Sequence, residues 1–460
     1  MKTDLESTLR QNSGRRLLFL GRESLFTHQE AERFLKTYDM DLTTDPEEKG
    51  IVGVVEHHRL NPVEEDISYR FYDRKVPLFK LEEFERLMSE QIKEDELLMV
   101  LKLGDDQERL LRLIDNTHIS DALFLKLLGM YRWSEDTEED SNEDRGVVMA
   151  TLRRFLNYKT NEEDLLYSAL TLKRLAVETE DPRLLYTLLG FPNFRFMQKG
   201  KQWITLREVV ATSAYIDRET IRKLLRFRDE KIMFFLAANR SVPREILEEL
   251  SEKNIESIDE ALASNISIGD TLFAKLLSKG GSIRDILLHY QPVDRKRYGM
   301  IEKETLTSGI LSLLGANELL APELIPHLAD SDRKGLLRSL AANSAVPAEL
   351  LDSFYNRKDI DLTLPLSGNK TTPISLLEAI YRDHEAVPDI QLALAANTST
   401  PEAILRALFD LDRYEINERL AANESVPLEL LNILKIDTRL RNALTGNKTF
   451  TDSITRDLGL

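Results

Sequence analysis

The stretch Leu236-Ala-Ala-Asn239-Arg-Ser241-Val-Pro243 decides the fold, because it returns almost unchanged as Leu420-Ala-Ala-Asn423-Glu-Ser425-Val-Pro427. Further copies lie between these two, at a period of about 26 residues. Recurrence at this spacing is typical of a repeat protein, in which each unit packs only on its neighbours. The landmark asparagines are Asn239, Asn265, Asn343, Asn369, Asn397, Asn423 and Asn447, and degenerate slots at Gln291 and Asn317 fall in register between them.

Each copy predicts two helices joined by a tight corner. Upstream of the landmark Asn, an apolar stretch that ends in small residues, such as residues 234–238, indicates a first helix, called helix A. Four residues after the Asn a proline recurs, and proline is well tolerated in the first turn of a helix, so helix B is expected to begin there. We expect the Asn side chain to bond backbone groups of the corner, and the Ser or Thr two residues later to cap helix B.

The pattern Leu-Ala-x-Asn-x-Ser/Thr-x-Pro-x-x-Leu-Leu-x-x-Leu, followed across residues 207–460, resembles the leucine-rich repeat variant family. The resemblance implies a right-handed α-helical solenoid. The spacing here is a little longer than the family's usual unit, which favours two full α-helices per repeat. Some family members hold an iron–sulfur cluster on cysteines, but this chain has no Cys, so we expect no such cofactor, no disulfide and no thiolate metal site.

Weaker copies extend the array towards the N-terminus. Residues 113–128 align closely with residues 262–277, and more distant matches preserve the same offset. We therefore predict two domains, residues 1–94 and a solenoid of residues 95–460, with insertions near residues 134–146 and 191–205. The first insertion begins with the acidic run of residues 134–145, whose composition predicts a solvated loop.

Residues 1–94 predict a small α/β domain. Apolar segments at residues 16–20, 40–43, 51–55 and 76–79 indicate strands, and three helices are expected at residues 27–38, 66–74 and 81–92, in the order βαββαβα. Strands joined by helices favour a mostly parallel sheet covered on both faces. This order, with Val76-Pro-Leu-Phe79 leading directly into the last helix, resembles the BRCT domain.

The BRCT resemblance implies an aromatic residue of the last helix in the core, here Phe84 where Trp is usual. Family members commonly bind phosphorylated peptides or DNA ends, through a Ser/Thr–Gly pair after the first strand and a Lys on the second helix. This chain has Leu20-Gly21-Arg22 at the first position, without the hydroxyl, and it lacks the usual Gly pair before the second strand. The candidate anion-binding residues are Gly21, Arg22 and Lys75.

Composition limits the functional classes. The formal net charge of −17 disfavours non-specific nucleic-acid binding by the whole chain, although a local basic stripe stays compatible with it. The chain begins with polar residues and has no apolar run of membrane-spanning length, so we expect a cytoplasmic protein without a membrane partner. Phosphate-loop, nucleophile-elbow, zinc-protease and EF-hand motifs are missing from the sequence, and we expect no catalytic residues, no metal and no cofactor.

Two stretches depart from the repeat and are the candidate partner-binding segments. Residues 191–203 interleave aromatic and basic residues, which suits either a surface contact with a partner or a hairpin packed on the solenoid. In the Gln291 slot, the start of helix B carries a basic cluster, which indicates either an anionic contact or a plain repeat irregularity. The candidate residues are Phe194, Arg195, Phe196, Lys199, Lys201, Trp203, Arg295, Lys296, Arg297 and Tyr298.

These features predict a non-catalytic intracellular adaptor that binds a macromolecule, most simply a protein, through the solenoid surface. The alternative is a nucleic-acid-binding or DNA-repair-associated protein that uses a basic face of the solenoid together with the BRCT-like module. A clustered basic surface would favour the alternative. No group of residues in the sequence supports an enzyme.

Overall fold

The computed structural model describes residues 4–21, 25–134, 142–156, 169–197, 202–303 and 306–457. These residues are mainly helical, with 30 α-helices and six short strands. The chain divides into two units, Met1–Phe227 and Arg228–Leu460, so the predicted boundary between residues 94 and 95 lies inside the first unit. No helix of the described part is long and apolar enough to cross a membrane.

A four-stranded parallel sheet opens the first unit, with the strand order β2-β1-β3-β4. Its central strands carry fully buried side chains, among them Leu18 and Val54, which are paired in register. The predicted βαββαβα order is present, and a first helix that we had not expected precedes it. The elements are α1 (Leu5–Gln11), β1 (Arg16–Leu20), α2 (His28–Lys36), β2 (Asp41–Thr43), β3 (Ile51–Glu56), α3 (Pro62–Asp73), β4 (Leu78–Lys80) and α4 (Leu81–Glu90).

Local signals explain where these helices begin. Thr27 caps α2 in a reciprocal capping box with Glu30, and Asn61 does the same for α3 with Glu64. Phe84 of α4 is only 1% exposed and makes an edge-to-face contact with Phe19 at a centroid distance of 4.8 Å. The prediction that Phe84 lies in the core is therefore confirmed.

Helices continue the first unit and are interrupted by one hairpin. Asn116 ends α6 with its carboxamide oxygen accepting from the backbone N–H of His118, and its Nδ2 donates to the hydroxyl of Ser89 in α4 at 2.8 Å. The elements are α5 (Glu94–Gly104), α6 (Gln107–Asp115), α7 (Asp121–Leu128), α8 (Asn142–Phe155), α9 (Ala169–Glu178), α10 (Pro182–Leu188), β5 (Arg195–Met197), β6 (Trp203–Thr205), α11 (Leu206–Ala211) and α12 (Arg218–Arg226).

The second unit consists of helix pairs, as the repeat predicted. Every landmark residue from Asn239 to Asn447 is the C-cap of a helix A, so the prediction that these residues form the corners is confirmed. A 3₁₀ turn, Thr438–Leu440, precedes the last A helix. The A helices are α13 (Glu230–Ala238), α15 (Glu256–Ser264), α17 (Gly281–Tyr290), α19 (Ser308–Ala316), α21 (Lys334–Ala342), α23 (Ile360–Gly368), α25 (Pro388–Ala396), α27 (Tyr414–Ala422) and α29 (Arg441–Gly446), and the B helices are α14 (Arg244–Ser251), α16 (Asp270–Lys279), α18 (Arg295–Ile301), α20 (Leu324–Ala329), α22 (Ala348–Asn356), α24 (Ile374–His384), α26 (Glu402–Phe409), α28 (Leu428–Leu434) and α30 (Lys448–Asp457).

The corner amides join successive repeats. Nδ2 of Asn397 donates to the carbonyl oxygens of Ser367 at 2.9 Å and Asn369 at 3.0 Å, both in the preceding repeat. The same two-carbonyl bond recurs at each of the other corners from Asn265 onwards, including the degenerate Gln291 and Asn317. We call this row of side chains the amide ladder. It satisfies carbonyls that the ends of the A helices would otherwise leave unpaired.

The prediction that Ser or Thr caps helix B is wrong. Proline, such as Pro401, occupies the N-cap position itself, and it has no side-chain oxygen that could accept a hydrogen bond from the first turn of the helix. The hydroxyl of Ser399 donates instead to the carbonyl of Lys370, in the corner of the preceding repeat, and Ser267 and Ser425 do the same one repeat back. These hydroxyls therefore join repeats to each other.

Candidate interaction surface

The insertion at residues 191–205 contains an antiparallel hairpin of β5 and β6, in which Phe196 pairs with Ile204 and Met197 with Trp203. Because side chains alternate along a strand, the two faces differ. Phe196 and Ile204 are buried, whereas Met197 is 55% and Trp203 57% exposed. The segment is thus a hairpin that packs one face on the helices and presents a thioether and an indole to solvent on the other.

The remaining predicted residues of this segment are distributed unevenly. Arg195 is exposed on the outer face of β5, and Phe194 is half-buried just before it. Lys199 and Lys201 lie outside the described residues. Of the six candidates in this segment, the structure therefore places Arg195 and Trp203 on the exposed face and Phe196 in the core.

Contacts anchor the hairpin to the two helices that follow it. Thr205, the last residue of β6, caps α11 in a capping box with Glu208. The backbone N–H of Arg207 donates to the carboxamide oxygen of Asn193 at 3.2 Å, and the Arg207 guanidinium lies 3.8 Å from the ring centroid of Phe227, directly after α12. Bonds between backbone and side chains thus join the hairpin segment to α11, and the Arg207 side chain joins α11 to the end of α12.

Helix α12 adds cations to this region. Lys223 donates to the carbonyl oxygen of Tyr186 at 3.1 Å, and its ammonium lies 4.1 Å from the centroid of that tyrosine ring. Burial lowers the pKa of Lys223, and the positive charge of Arg207 lowers it further. Lys223 and Arg207 therefore lie close enough for their charges to interact.

We call Tyr186, Arg195, Met197, Trp203, Lys223 and Arg226 the basic–aromatic surface. Residues 195–226 contain eight Lys and Arg against three Asp and Glu, in a chain where acidic residues outnumber basic ones by 79 to 62. Within the described part of the chain, no carboxylate pairs with Arg195, Lys223 or Arg226. Such a surface can desolvate apolar side chains on the indole and thioether while it binds anionic groups at its cations.

The second predicted cluster has a different role. The guanidinium of Arg297 is almost fully buried and donates to Asp270 at 3.0 Å and to the carbonyl of Ile268 at 2.9 Å, both in the preceding repeat. Its Nη1 donates to the side-chain oxygen of Gln291 at 3.2 Å. Lys296 also bonds Asp270, at 2.6 Å. Hydrogen bonds from Lys296 and Arg297 hold the pKa of Asp270 below its usual value.

The cluster therefore holds an irregular repeat together. Gln291 keeps its place in the amide ladder through its longer side chain. Its carboxamide oxygen accepts from Arg297, whereas the corresponding Asn oxygen of the neighbouring corners accepts from a backbone N–H. Tyr298 is also buried, against the ring of His327. Arg295 alone among the four candidates is exposed without an ion pair to any described residue.

The candidate anion-binding residues do not come together. Gly21 follows β1 at the carboxyl end of the sheet, at the same level as Leu81, the first residue after β4. Lys75 precedes β4 at the opposite end of the sheet, six residues before Leu81. At a rise of about 3.3 Å per residue, Gly21 and Lys75 are roughly 20 Å apart along the strands. Arg22 lies outside the described residues. Gly21 has a backbone role instead: its φ is +103°, and a Cβ there would lie 2.4 Å from the Cβ of His57.

Helix α12 was not among the predicted partner-binding segments. Its signal in the sequence is the density of cations in Arg218-Glu-Thr-Ile-Arg222-Lys223-Leu-Leu-Arg226, which the fit of this segment to the repeat obscures. Among the described residues, no group of three or more His, Asp or Glu side chains is placed to hold a metal ion. No family model, curated protein or solved structure shows a significant match to this chain.

Proposed function

We propose that the protein is a non-catalytic adaptor, a helical-repeat solenoid preceded by a BRCT-like module, that binds a protein partner through the basic–aromatic surface. The observation that carries this proposal is the exposed pair Met197 and Trp203 on a hairpin whose other face is buried. Large apolar side chains held in this way are typical anchors of protein interfaces.

The anchoring of the hairpin supports a binding role. Capping of α11 by Thr205 and the bond from Arg207 to Asn193 hold both ends of the hairpin in place. A preordered anchor loses less conformational entropy when a partner binds, so more of the contact energy remains as affinity. An exposed tryptophan on an unanchored loop would lack this advantage.

The solenoid part of the proposal rests on the second unit. Helix pairs recur there with the same corner, and the amide ladder repeats one bonding pattern from Asn265 to Asn447. Such stacks expose extended surfaces rather than enclosed reaction centres. The resemblance to the leucine-rich repeat variant family points the same way.

A protein partner is favoured over a nucleic acid by how the two basic clusters are used. Phosphate binding depends on Lys and Arg side chains that are free to replace counterions. In the cluster at residues 295–298, Lys296 and Arg297 are already bonded to Asp270, and the chain as a whole carries a charge of −17. The contact surface that remains combines few free cations with large apolar groups.

Affinity capture with the full-length chain tests the proposal. Wild type, Trp203→Ala and Tyr69→Ala are immobilised and exposed to extract of the source cells treated with nuclease, and retained proteins are quantified by mass spectrometry. Tyr69 is a matched control because it is an aromatic residue 70% exposed on α3. We expect discrete proteins to be retained by wild type and Tyr69→Ala and lost from Trp203→Ala. Equal retention by all three variants, or no protein retained by wild type from the nuclease-treated extract, would contradict the proposal.

A further inference from the structure

We propose that the segment received by the basic–aromatic surface is an acidic peptide, whose carboxylates bind Arg195, Lys223 and Arg226 and whose neighbouring apolar side chain packs on Trp203 and Met197. This inference rests on the function proposed above and specifies the chemistry of the partner.

The charges carry the first step. Arg195 and Arg226 are exposed, Lys223 is half-buried, and none of the three has a carboxylate partner among the residues described. Some other exposed cations of the chain do have one: Arg406 lies between Glu402 and Glu429, and Lys126 pairs with Glu94. Arg195 lies on the exposed strand β5, and the charge of Lys223 interacts with that of Arg207, directly after the hairpin. Arg226 follows Lys223 one turn later on α12. Without a carboxylate partner among the described residues, these cations leave a positive charge that a partner's carboxylates would neutralise.

The apolar groups carry the second step. A purely ionic contact between exposed side chains contributes little, because water and salt screen it. Trp203 and Met197 lie beside each other across the two strands, and Tyr186 is held against Lys223 by a cation–π contact. A segment in which acidic residues alternate with large apolar ones can contact both kinds of group.

The charge of the whole chain decides between an acidic peptide and a nucleic acid. A DNA duplex carries one charge per about 1.7 Å along its axis, so three cations would neutralise only a small part of the charge that it brings to a protein of net charge −17. A short peptide can place a few carboxylates on the cations and end there. The observations therefore favour the peptide, although both ligands are anionic.

The test measures fluorescence anisotropy of a labelled short peptide of alternating Glu and Leu, titrated with the full-length protein at physiological salt. The same titration is made with a Lys–Leu peptide, a short DNA duplex and a DNA single strand. The variants are Arg195→Glu with Arg226→Glu, Trp203→Ala, and a control, Lys80→Glu with Lys102→Glu. The control changes the net charge equally, at exposed lysines of β4 and α5. Circular dichroism establishes that each variant is folded, and Arg195→Gln with Arg226→Gln serves as a milder second pair.

We expect the Glu–Leu peptide to bind wild type and the lysine control, and its affinity to fall at least about 10-fold in each arginine pair and in Trp203→Ala. Its affinity should also fall as salt is raised. Failure of the peptide to bind, or equal binding by all variants, would overturn the inference, and so would tighter binding of either DNA that the arginine pairs abolish. If proteins are captured in a Trp203-dependent way but the acidic peptide does not bind, this inference fails and the adaptor function stands.

Discussion

Replacing Asn397 by Ala removes one rung of the amide ladder. The side chain is 2% exposed, and it makes three hydrogen bonds: Nδ2 donates to the carbonyls of Ser367 and Asn369, and Oδ1 accepts from the backbone N–H of Ser399 at 2.9 Å. Alanine can make none of these bonds, so their partners must find water or remain unpaired.

The three partners are affected unequally. The carbonyl of Asn369 also accepts from the N–H of Thr372 at 3.2 Å, and Ser399 is only half-buried, so each of these losses costs about 0.5 kcal/mol. The buried carbonyl of Ser367 loses its only partner among the described residues, which costs about 1–3 kcal/mol. We expect Asn397→Ala to lower the free energy of unfolding by about 3 kcal/mol in total.

Amide hydrogen exchange followed by mass spectrometry is the suitable assay, because stacked repeats can open in parts and a single global midpoint would average over them. The expected result is faster exchange in peptides from α23 and α25, together with a lower urea midpoint by circular dichroism. Asn432→Ala is the matched control: Asn432 is exposed within α28 and bonds no described residue, so alanine there should be neutral or stabilising by about 0.5 kcal/mol.

Equal urea midpoints for Asn397→Ala and Asn432→Ala, with unchanged exchange in α23 and α25, would refute the reasoning. That result would mean that water satisfies the Ser367 carbonyl without loss and that the ladder does not hold the repeats together.

Two further predictions concern packing and pH. A Cβ on Gly315 would lie 2.8 Å from the carbonyl oxygen of Leu336 in the neighbouring A helix, whereas one on Gly368 would meet nothing within 4 Å. Gly315→Ala should therefore lower the free energy of unfolding by about 1–3 kcal/mol, and Gly368→Ala should be neutral or stabilising. Equal urea midpoints for the two variants would contradict this. Burial alone would raise the pKa of Glu30, but hydrogen bonds from Arg109 and from the backbone of its own helix start outweigh it and hold the pKa below 4.5. Because the folded pKa is the lower one, the pair stabilises the fold above pH 4.5 and this contribution is lost as pH falls through the folded value; Glu30→Gln, which keeps the capping bond, should lose less stability than wild type between neutral pH and acid, and parallel urea-midpoint curves against pH would contradict the assignment.

The repeat was predictable because its constraints are local and recur many times. An Asn that ends helix A and a proline that starts helix B depend on backbone geometry within one corner, so five of the nine copies show both in the sequence. The Nδ2 bonds made by the corner residues from Asn265 onwards were not predictable. They reach carbonyls about one repeat away, and no spacing in the sequence shows which groups the stack brings together. The capping role expected for Ser399 failed for the same reason.

The interaction surface was only partly predictable. Trp203 and Arg195 were candidates because aromatic and basic residues alternate in that segment, but the alternation could not show which side chains point outwards. Pairing of β5 with β6 decides this by burying Phe196 and exposing Trp203. Arg297 was predicted incorrectly for a related reason. A cation in an acidic chain was expected at the surface, whereas the fold buries Arg297 against Asp270 and Gln291.

Site-specific photo-crosslinking tests the adaptor function most directly. A photoreactive benzoylphenylalanine replaces Trp203 in one version of the full-length chain and Tyr69 in another, and both are irradiated in extract of the source cells. The adaptor function predicts a discrete protein adduct from position 203 that is resistant to nuclease and does not form from position 69. Adducts that are sensitive to nuclease, or identical adducts from both positions, or none from position 203, would contradict it.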